Sequence, residues 1–172
     1  EAVEFALKTV ELGTGRPGLV AFEGSYHGLT LGSLAVTGRR EFRDPFKGRL
    51  YDGVAFVAFP SSETNAQSAL SEVAKVLAEG TPTGAPVGAI VVEPIQGRAG
   101  VRIPPPGFLA RLTESARSAG ALVIFDEIFT GLGRTGTLFA CEHEGVLPDL
   151  MCIGKSLGGG LPLSACLGPS SL

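Results

Sequence analysis

Short apolar runs alternate along the chain with stretches whose apolar positions recur at helical spacing. Continuous apolar runs, without alternating polar positions, indicate strands that are buried on both faces, as in a parallel sheet covered by helices. The predicted strands are Leu19–Phe22, Val54–Ala58, Ala89–Val92, Leu122–Phe125, Leu150–Ile153 and Leu163–Cys166. Helical spacing predicts helices over residues 1–12, 65–79 and 106–119. The pattern therefore predicts an α/β fold with a mainly parallel sheet.

Composition and charge narrow the class of protein. Hydrophobic residues make up 44% of the 172 residues and charged residues 18%, which is typical of a globular domain. The net charge of −3 comes without a basic cluster, so no nucleic acid is expected as a partner. No apolar run approaches the ~20 residues of a membrane helix, and no signal peptide is visible. We therefore expect no membrane partner and a cytoplasmic location.

The cysteines give no sign of a disulfide framework or a metal site. Cys141, Cys152 and Cys166 are scattered without a C-x-x-C pair, as is typical of a reducing compartment. The chain also opens inside an amphipathic helical pattern, without Met, and ends just after a strand-like run at Leu172. We therefore expect residues 1–172 to be one domain of a longer protein, cut at both ends.

Charged side chains follow three of the predicted strands. Glu93 follows one strand, Asp126 and Glu127 follow the next, and Lys155 follows a third. Ligand sites in open α/β sheets lie beyond the carboxyl ends of the strands. The sequence therefore predicts that these side chains face one crevice.

Two of these residues carry distinct chemistry. An acid directly after four apolar residues, such as Asp126, is partly desolvated and needs a partner; it either braces a loop or pairs with a cationic ring or a metal. Lys155 lies between a buried strand and a triple glycine, where desolvation would make its amine a better nucleophile; alternatively it is a surface lysine in a loop. A Walker phosphate loop is excluded, because Asp149 stands where that motif needs glycine.

Other motifs allow more than one interpretation. Gly131–Gly136 matches the G-x-G-x-x-G pattern of dinucleotide sites, although the pattern does not directly follow a strand or open a long helix. Tyr26 is either a core residue or a face for a planar ligand, and His27 could be an ordinary hydrogen-bonded histidine. His143 has no second histidine at metal spacing.

Taken together, four segments resemble the class III aminotransferases, the acetylornithine/ornithine and 4-aminobutyrate group of the fold type I pyridoxal-phosphate (PLP) enzymes. The resemblance covers essentially the whole chain. It rests on Gly24–Gly28, Val92–Gly97, Phe125–Gly136 and Pro148–Pro162. It implies the large domain of that fold, a three-layer α/β/α arrangement, with the small carboxyl-terminal domain outside these residues.

The resemblance also implies roles for individual residues. Lys155 would form a Schiff base with the PLP aldehyde and later carry a proton, and Asp126 would keep the pyridine nitrogen protonated. Tyr26 would stack on the PLP ring. The other expected contacts are His27, Glu127 and Phe129 on the cofactor side, and Glu93 and Gln96 on the substrate side.

The implied activity is transfer of an amino group from an ω-amino or α-amino donor to a 2-oxo acid, with 2-oxoglutarate as the expected acceptor, in a homodimer. Alternatives are an aminomutase or epimerase with the same cofactor, a nucleotide-binding dehydrogenase domain based on Gly131–Gly136, and a non-catalytic protein. The sequence departs from the family at Phe129, where many members carry Gln, and at Arg98 and Ala99. The family's phosphate-binding Gly-Ser/Thr pair would precede Glu1, so we expect little turnover from these residues alone.

Overall fold

The computed structural model describes residues 1–172, and its α-helices and strands follow the predicted order with two additional short helices. The helices are α1 (Ala2–Thr14), α2 (Leu31–Ala35), α3 (Arg40–Arg43), α4 (Glu63–Glu79) and α5 (Phe108–Ser118). The strands are β1 (Gly18–Phe22), β2 (Val54–Val57), β3 (Val87–Val92), β4 (Leu122–Asp126), β5 (Leu150–Ile153) and β6 (Ala165–Leu167). Short 3-10 helices cover Asp44–Arg49, Ala140–Glu144 and Lys155–Gly158.

The strands form one six-stranded sheet in the order β2-β1-β3-β4-β5-β6. The first five strands are parallel, and β6 runs antiparallel to β5 at the edge. The prediction of a mainly parallel sheet is therefore confirmed. Because the parallel strands end at the same edge, the segments after β1, β3, β4 and β5 begin side by side.

Two apolar clusters, one on each face of the sheet, hold the three layers together. Val20 and Phe22 pack with α4 and α5, while their neighbours Leu19 and Ala21 pack with α1. This division follows from the alternation of side chains along a strand. On the α4–α5 face, Phe22 meets the Phe59 and Phe108 rings edge-on, with centroids 5.8 and 5.9 Å away.

The predicted helices differ from the observed ones mainly at their starts. The α4 helix begins at Glu63, because the Ser62 hydroxyl caps it by accepting the Asn65 N–H at 3.3 Å. The α5 helix begins after Gly107, whose φ of 78° turns the chain into the helix after the prolines. The short helices α2 and α3 were missed because four or five residues show no helical periodicity. None of the helices combines the length and apolar character needed to cross a membrane.

Candidate active site

A buried polar contact at the carboxyl edge of the sheet joins Asp126 and His27. The His27 Nδ1 atom lies 2.7 Å from the Asp126 Oδ2 atom, and Asp126 Oδ1 accepts the Ile128 N–H at 3.1 Å. Both side chains are at least 96% buried, with exposed fractions of 0% and 4%. Burial disfavours a charged imidazole, but the hydrogen bond and charge of Asp126, with the charge of Glu93, raise the pKa of His27. The contact with Asp126 therefore favours the protonated form of His27 despite its burial.

His27 is itself held by the turn that follows β1. Its backbone N–H donates to the Thr37 hydroxyl at 3.0 Å, and that hydroxyl donates to the Ser33 carbonyl at 3.0 Å. Ser25 closes the same turn, accepting the Gly38 N–H at 2.9 Å. The structural role of Thr37 was missed by the sequence analysis. The available signal was a threonine directly after the apolar residues 34–36, since a buried hydroxyl needs partners.

Glu93 lies beside this pair at the end of β3. Its Oε2 atom accepts the Tyr26 N–H at 3.1 Å, and the residue is 6% exposed. Burial raises the pKa of Glu93 to about 7, with the charge of Asp126 adding to the rise and that of His27 opposing it. Near neutral pH this carboxyl therefore exists in both protonation states, directly next to the Asp126–His27 pair.

Glu127 points away from Asp126, as adjacent residues of a strand do. Its carboxylate accepts the N–H groups of Ala140 and Cys141 at 3.1 and 2.9 Å and the Thr130 hydroxyl. These loop groups engage both carboxylate oxygens, and Glu127 is 1% exposed. Glu127 thus ties the segment after β4 to the 3-10 helix Ala140–Glu144, and its expected contact with a cofactor stays a prediction.

Gln96 is fully buried, and its expected place on the substrate side stays a prediction. Its Nε2 donates to the Glu23 carbonyl at 2.9 Å, and its buried Oε1 has no partner. The segment after β3 is thereby tied to the segment after β1, which carries Tyr26. Phe129 packs closely against Gly97, where even a methyl group would come within 2.7 Å of the ring.

Lys155 follows the end of β5 by two residues, beside the strand that ends at Asp126. It is exposed and has a φ of 44°, a left-handed conformation that non-glycine residues rarely adopt. Its Nζ lies 5.7 Å from the centre of the Phe129 ring and forms none of the ion pairs in the structure. The amine therefore faces the segment after β4 with its charge uncompensated.

Tyr26 lies half-buried between these groups and the surface. The Arg98 guanidinium lies over its ring at 4.4 Å, and Phe42 meets the ring edge-on at 5.3 Å. Arg98, one of the positions at which the sequence departs from the family, therefore lies against the Tyr26 ring that was predicted to contact the cofactor.

The glycine motif lacks the geometry of a dinucleotide site. Residues 131–136 form turns, and the next helical element is the 3-10 helix Ala140–Glu144 instead of a long helix. His143 binds back onto this segment, with its Nε2 atom 3.1 Å from the Thr135 carbonyl. The nucleotide-binding dehydrogenase hypothesis is therefore wrong for this segment.

Comparison with known proteins identifies the family. The family model "Aminotransferase class-III" matches residues 1–172. The chain belongs to the class III aminotransferases. The acetylornithine aminotransferase of Methanopyrus kandleri is 44% identical over 167 residues, covering 97% of this chain and 39% of that protein. The one from Methanosarcina mazei is 42% identical over 172 residues, covering 100% and 40%.

Solved structures of class III transaminases share the fold. An amine transaminase from an uncultivated Pseudomonas species, in its PLP-bound form, matches with a TM-score of 0.89 and 28% identity, over 99% of this chain and 41% of that one. A transaminase from the marine bacterium Virgibacillus matches with a TM-score of 0.85 and 30% identity, over 96% and 38%. The fold type I assignment is confirmed. The chain spans about two fifths of the length of these relatives.

Proposed function

We propose that the full-length protein is a PLP-dependent aminotransferase and that residues 1–172 are its cofactor-binding large domain. It would move an amino group from an ω-amino or α-amino donor to a 2-oxo acid, with 2-oxoglutarate as the acceptor. Two of the relatives are acetylornithine aminotransferases, so N-acetylornithine is the first donor to test. By analogy with the family we place the protein in the cytoplasm as a homodimer.

The observation that carries the proposal is the buried Asp126–His27 pair on the strand next to the one that leads to Lys155. The pair and the lysine fit PLP. An ionised carboxylate accepts up to about four hydrogen bonds, and Asp126 accepts two, so it can take a further donor from a cationic ring nitrogen. The His27 Nε2 atom is buried without a partner, so the pair keeps one more polar atom whose hydrogen-bonding capacity is unused.

In this arrangement each residue has a defined task. Lys155 would hold the cofactor covalently through its Nζ atom, and the same atom, once free, would accept and return a proton. Asp126 would bind the ring nitrogen, while His27 fixes the orientation of the Asp126 carboxylate. When bound, PLP supplies an electron sink for the charge left by a departing proton.

The remaining residues would shape the site around the ring. Tyr26 would pack on the ring face, and Phe129 would border it from the segment after β4. Glu93 would face the substrate, where its proton can be held or released near neutral pH. Gln96 and Glu127 would act indirectly, because they fix the segments that carry these side chains.

Lys155→Ala in the full-length protein tests the covalent role. We expect borohydride reduction to fix PLP on the Lys155 peptide of the wild-type protein, as detected by mass spectrometry, and to fix none on the variant. Transamination should fall by ~10²–10⁴-fold with the loss of the proton carrier. Stability should change by less than about 0.5 kcal/mol, since the side chain is exposed.

Lys75→Ala is the matched control, because Lys75 is an exposed lysine on α4 with a 69% accessible side chain. This variant should keep both the label and the activity. A wild-type label on a lysine other than Lys155, or no label at all, would exclude the assignment. Product analysis separates transamination from an aminomutase or epimerase reaction, in which no amino group passes to the added 2-oxo acid.

A further inference from the structure

Two cysteines face each other on the strands that flank the Lys155 segment. Cys152 on β5 is the direct register partner of Cys166 on the antiparallel strand β6. Both side chains lie on the α1 face of the sheet, where Cys152 belongs to the apolar cluster and Cys166 packs against it. Facing residues of an antiparallel pair have Cβ atoms about 4.5–5.5 Å apart. A disulfide needs about 3.5–4.5 Å, so a small closure of the strands suffices.

The two thiols differ in access to solvent. Cys152 is fully buried, while Cys166 is only partly buried and lines a cleft of about 440 Å³ against α1, beside Ala2 and Phe5. The third cysteine, Cys141, lies in the apolar cluster on the opposite face of the sheet. An oxidant from solvent can therefore reach Cys166, and the nearest sulfur in register is that of Cys152.

The pKa values of the two thiols are also shifted in opposite directions. Their interaction raises the pKa of Cys152, and burial raises it further. The same interaction lowers the pKa of Cys166, against the effect of its own partial burial. The more accessible sulfur is therefore the one with more thiolate character, which is the reactive form of cysteine.

We propose that Cys152 and Cys166 form a reversible redox-modification site, a dithiol that a hydroperoxide converts to a disulfide. The Cys166 thiolate attacks one peroxide oxygen, the O–O bond breaks, and the other oxygen leaves as an alcohol after taking up a proton. The Cys152 sulfur then attacks the Cys166 sulfenic acid, the S–O bond breaks, and water leaves. Overall, two protons and two electrons of the thiols pass to the peroxide.

The bond would act on the segment between the two strands. Residues 153–165 lie between the two cysteines and include the connection from β5 to β6, which carries Lys155 and the glycines 158–160. Just before this segment begins, the end of β5 is fixed to the end of β4, because the Cys152 carbonyl accepts the Glu127 N–H at 2.9 Å. A disulfide would close the segment into a covalent loop anchored on the sheet, and reduction would release it.

The test is peptide mapping of the full-length protein after hydrogen peroxide treatment. We expect a Cys152–Cys166 cross-linked peptide that is lighter by two hydrogens than the two thiol peptides, and dithiothreitol should restore both thiols. Hydrogen exchange in residues 153–165 should slow on oxidation and recover on reduction. Because the cross-link is read in the wild-type chain, the result does not depend on the folding of any variant.

Cys166→Ser should abolish the cross-link, and Cys141→Ala, as the matched control, should retain it. The proposal fails if peroxide leaves Cys152 reduced while Cys166 becomes a sulfinic acid, or if Cys166 links to another cysteine. Neither result would bear on the aminotransferase assignment, which is tested at Lys155.

Discussion

The two sides of the candidate site are built in opposite ways. On the β4 side, Asp126 is buried and held by a side-chain contact to His27 and a backbone contact to Ile128. On the β5 side, Lys155 is exposed, has a left-handed backbone and precedes three glycines. Contacts within residues 1–172 thus fix the Asp126 carboxylate. The Lys155 amine, by contrast, lies on an exposed segment that these contacts do not fix.

The contrast follows from what each side is proposed to do. A carboxylate that stabilises a cation works best when it is already oriented, because no reorganisation is then needed on binding. A lysine that is attached, released and reused must move, which fits a segment with few packing contacts. Cofactor binding is therefore expected to order the β5 side much more than the β4 side.

Asp126→Asn should have the largest effect on stability, because it removes the buried carboxylate on the β4 side. The variant removes the carboxylate that favours the protonated form of His27, and breaking a buried pair costs about 3 kcal/mol or more in unfolding free energy. Transamination should fall by about 10- to 1,000-fold, since a contacting charge shifts the pKa of its partner by about 1–3 units. Urea denaturation and steady-state kinetics of the full-length protein measure the two effects.

A double-mutant cycle with His27→Asn separates the pair from general damage. If the contact is as strong as its burial implies, Asp126→Asn should cost less stability in the His27→Asn background, with a coupling of about 0.5–3 kcal/mol. Additive losses would show that the two residues act independently, and the description of the β4 side as preformed would have to be abandoned.

The sequence predicted the sheet more completely than it predicted the site. Apolar strands such as Ala89–Val92 can be predicted because both of their faces are buried. The rule that ligand sites lie beyond the carboxyl ends of strands correctly placed Glu93, Asp126 and Lys155 at one edge of the sheet. The partner of Asp126 was not readable, because it lies 99 positions away on a turn that Thr37 holds in place. The direction of β6 was equally hidden, since a three-residue strand carries no periodicity that encodes orientation.

Adjacent acids show where sequence reasoning stops. Strand alternation implies that Asp126 and Glu127 point to opposite faces, but the pattern does not tell which face holds the crevice. The structure answers this through the groups on the other face: the backbone of Ala140 and Cys141 engages Glu127. The burial of Gln96 could not be predicted for a similar reason, because it depends on the Glu23 carbonyl, which lies far away along the chain.

Glu93→Gln should have the next largest effect, visible in the pH dependence of stability. Between pH 4.5 and about 7, the folded protein keeps a proton on Glu93 that the unfolded chain has lost. Stability therefore falls as pH rises through this window, by on the order of 3 kcal/mol. Glutamine does not titrate and can still accept the Tyr26 N–H, so the variant should lose less stability between pH 5 and 8.

Urea denaturation at pH 5 and pH 8 measures this difference. The raised pKa of His27 also costs stability as pH rises through its folded-state pKa, but His27 is present in both proteins. The difference between the two pH profiles therefore reports the titration of Glu93 together with its effect on the pKa of His27. Parallel profiles would mean that Glu93 is already ionised at low pH and that its surroundings are more hydrated than the structure indicates.

The difference in stability between Lys155→Gly and Lys155→Ala should be the smallest of these effects. It tests the β5 side of the site directly. Both variants remove the amine, so both should lack the cofactor label, but only glycine adopts a φ of 44° without a steric penalty. The glycine variant should be more stable than the alanine variant by about 1 kcal/mol in urea denaturation. Equal stabilities would mean that the segment relaxes freely around position 155. The left-handed conformation would then be one of several that the Lys155 segment adopts. Binding of the cofactor would have to fix the position of Lys155, whereas the fold already fixes Asp126.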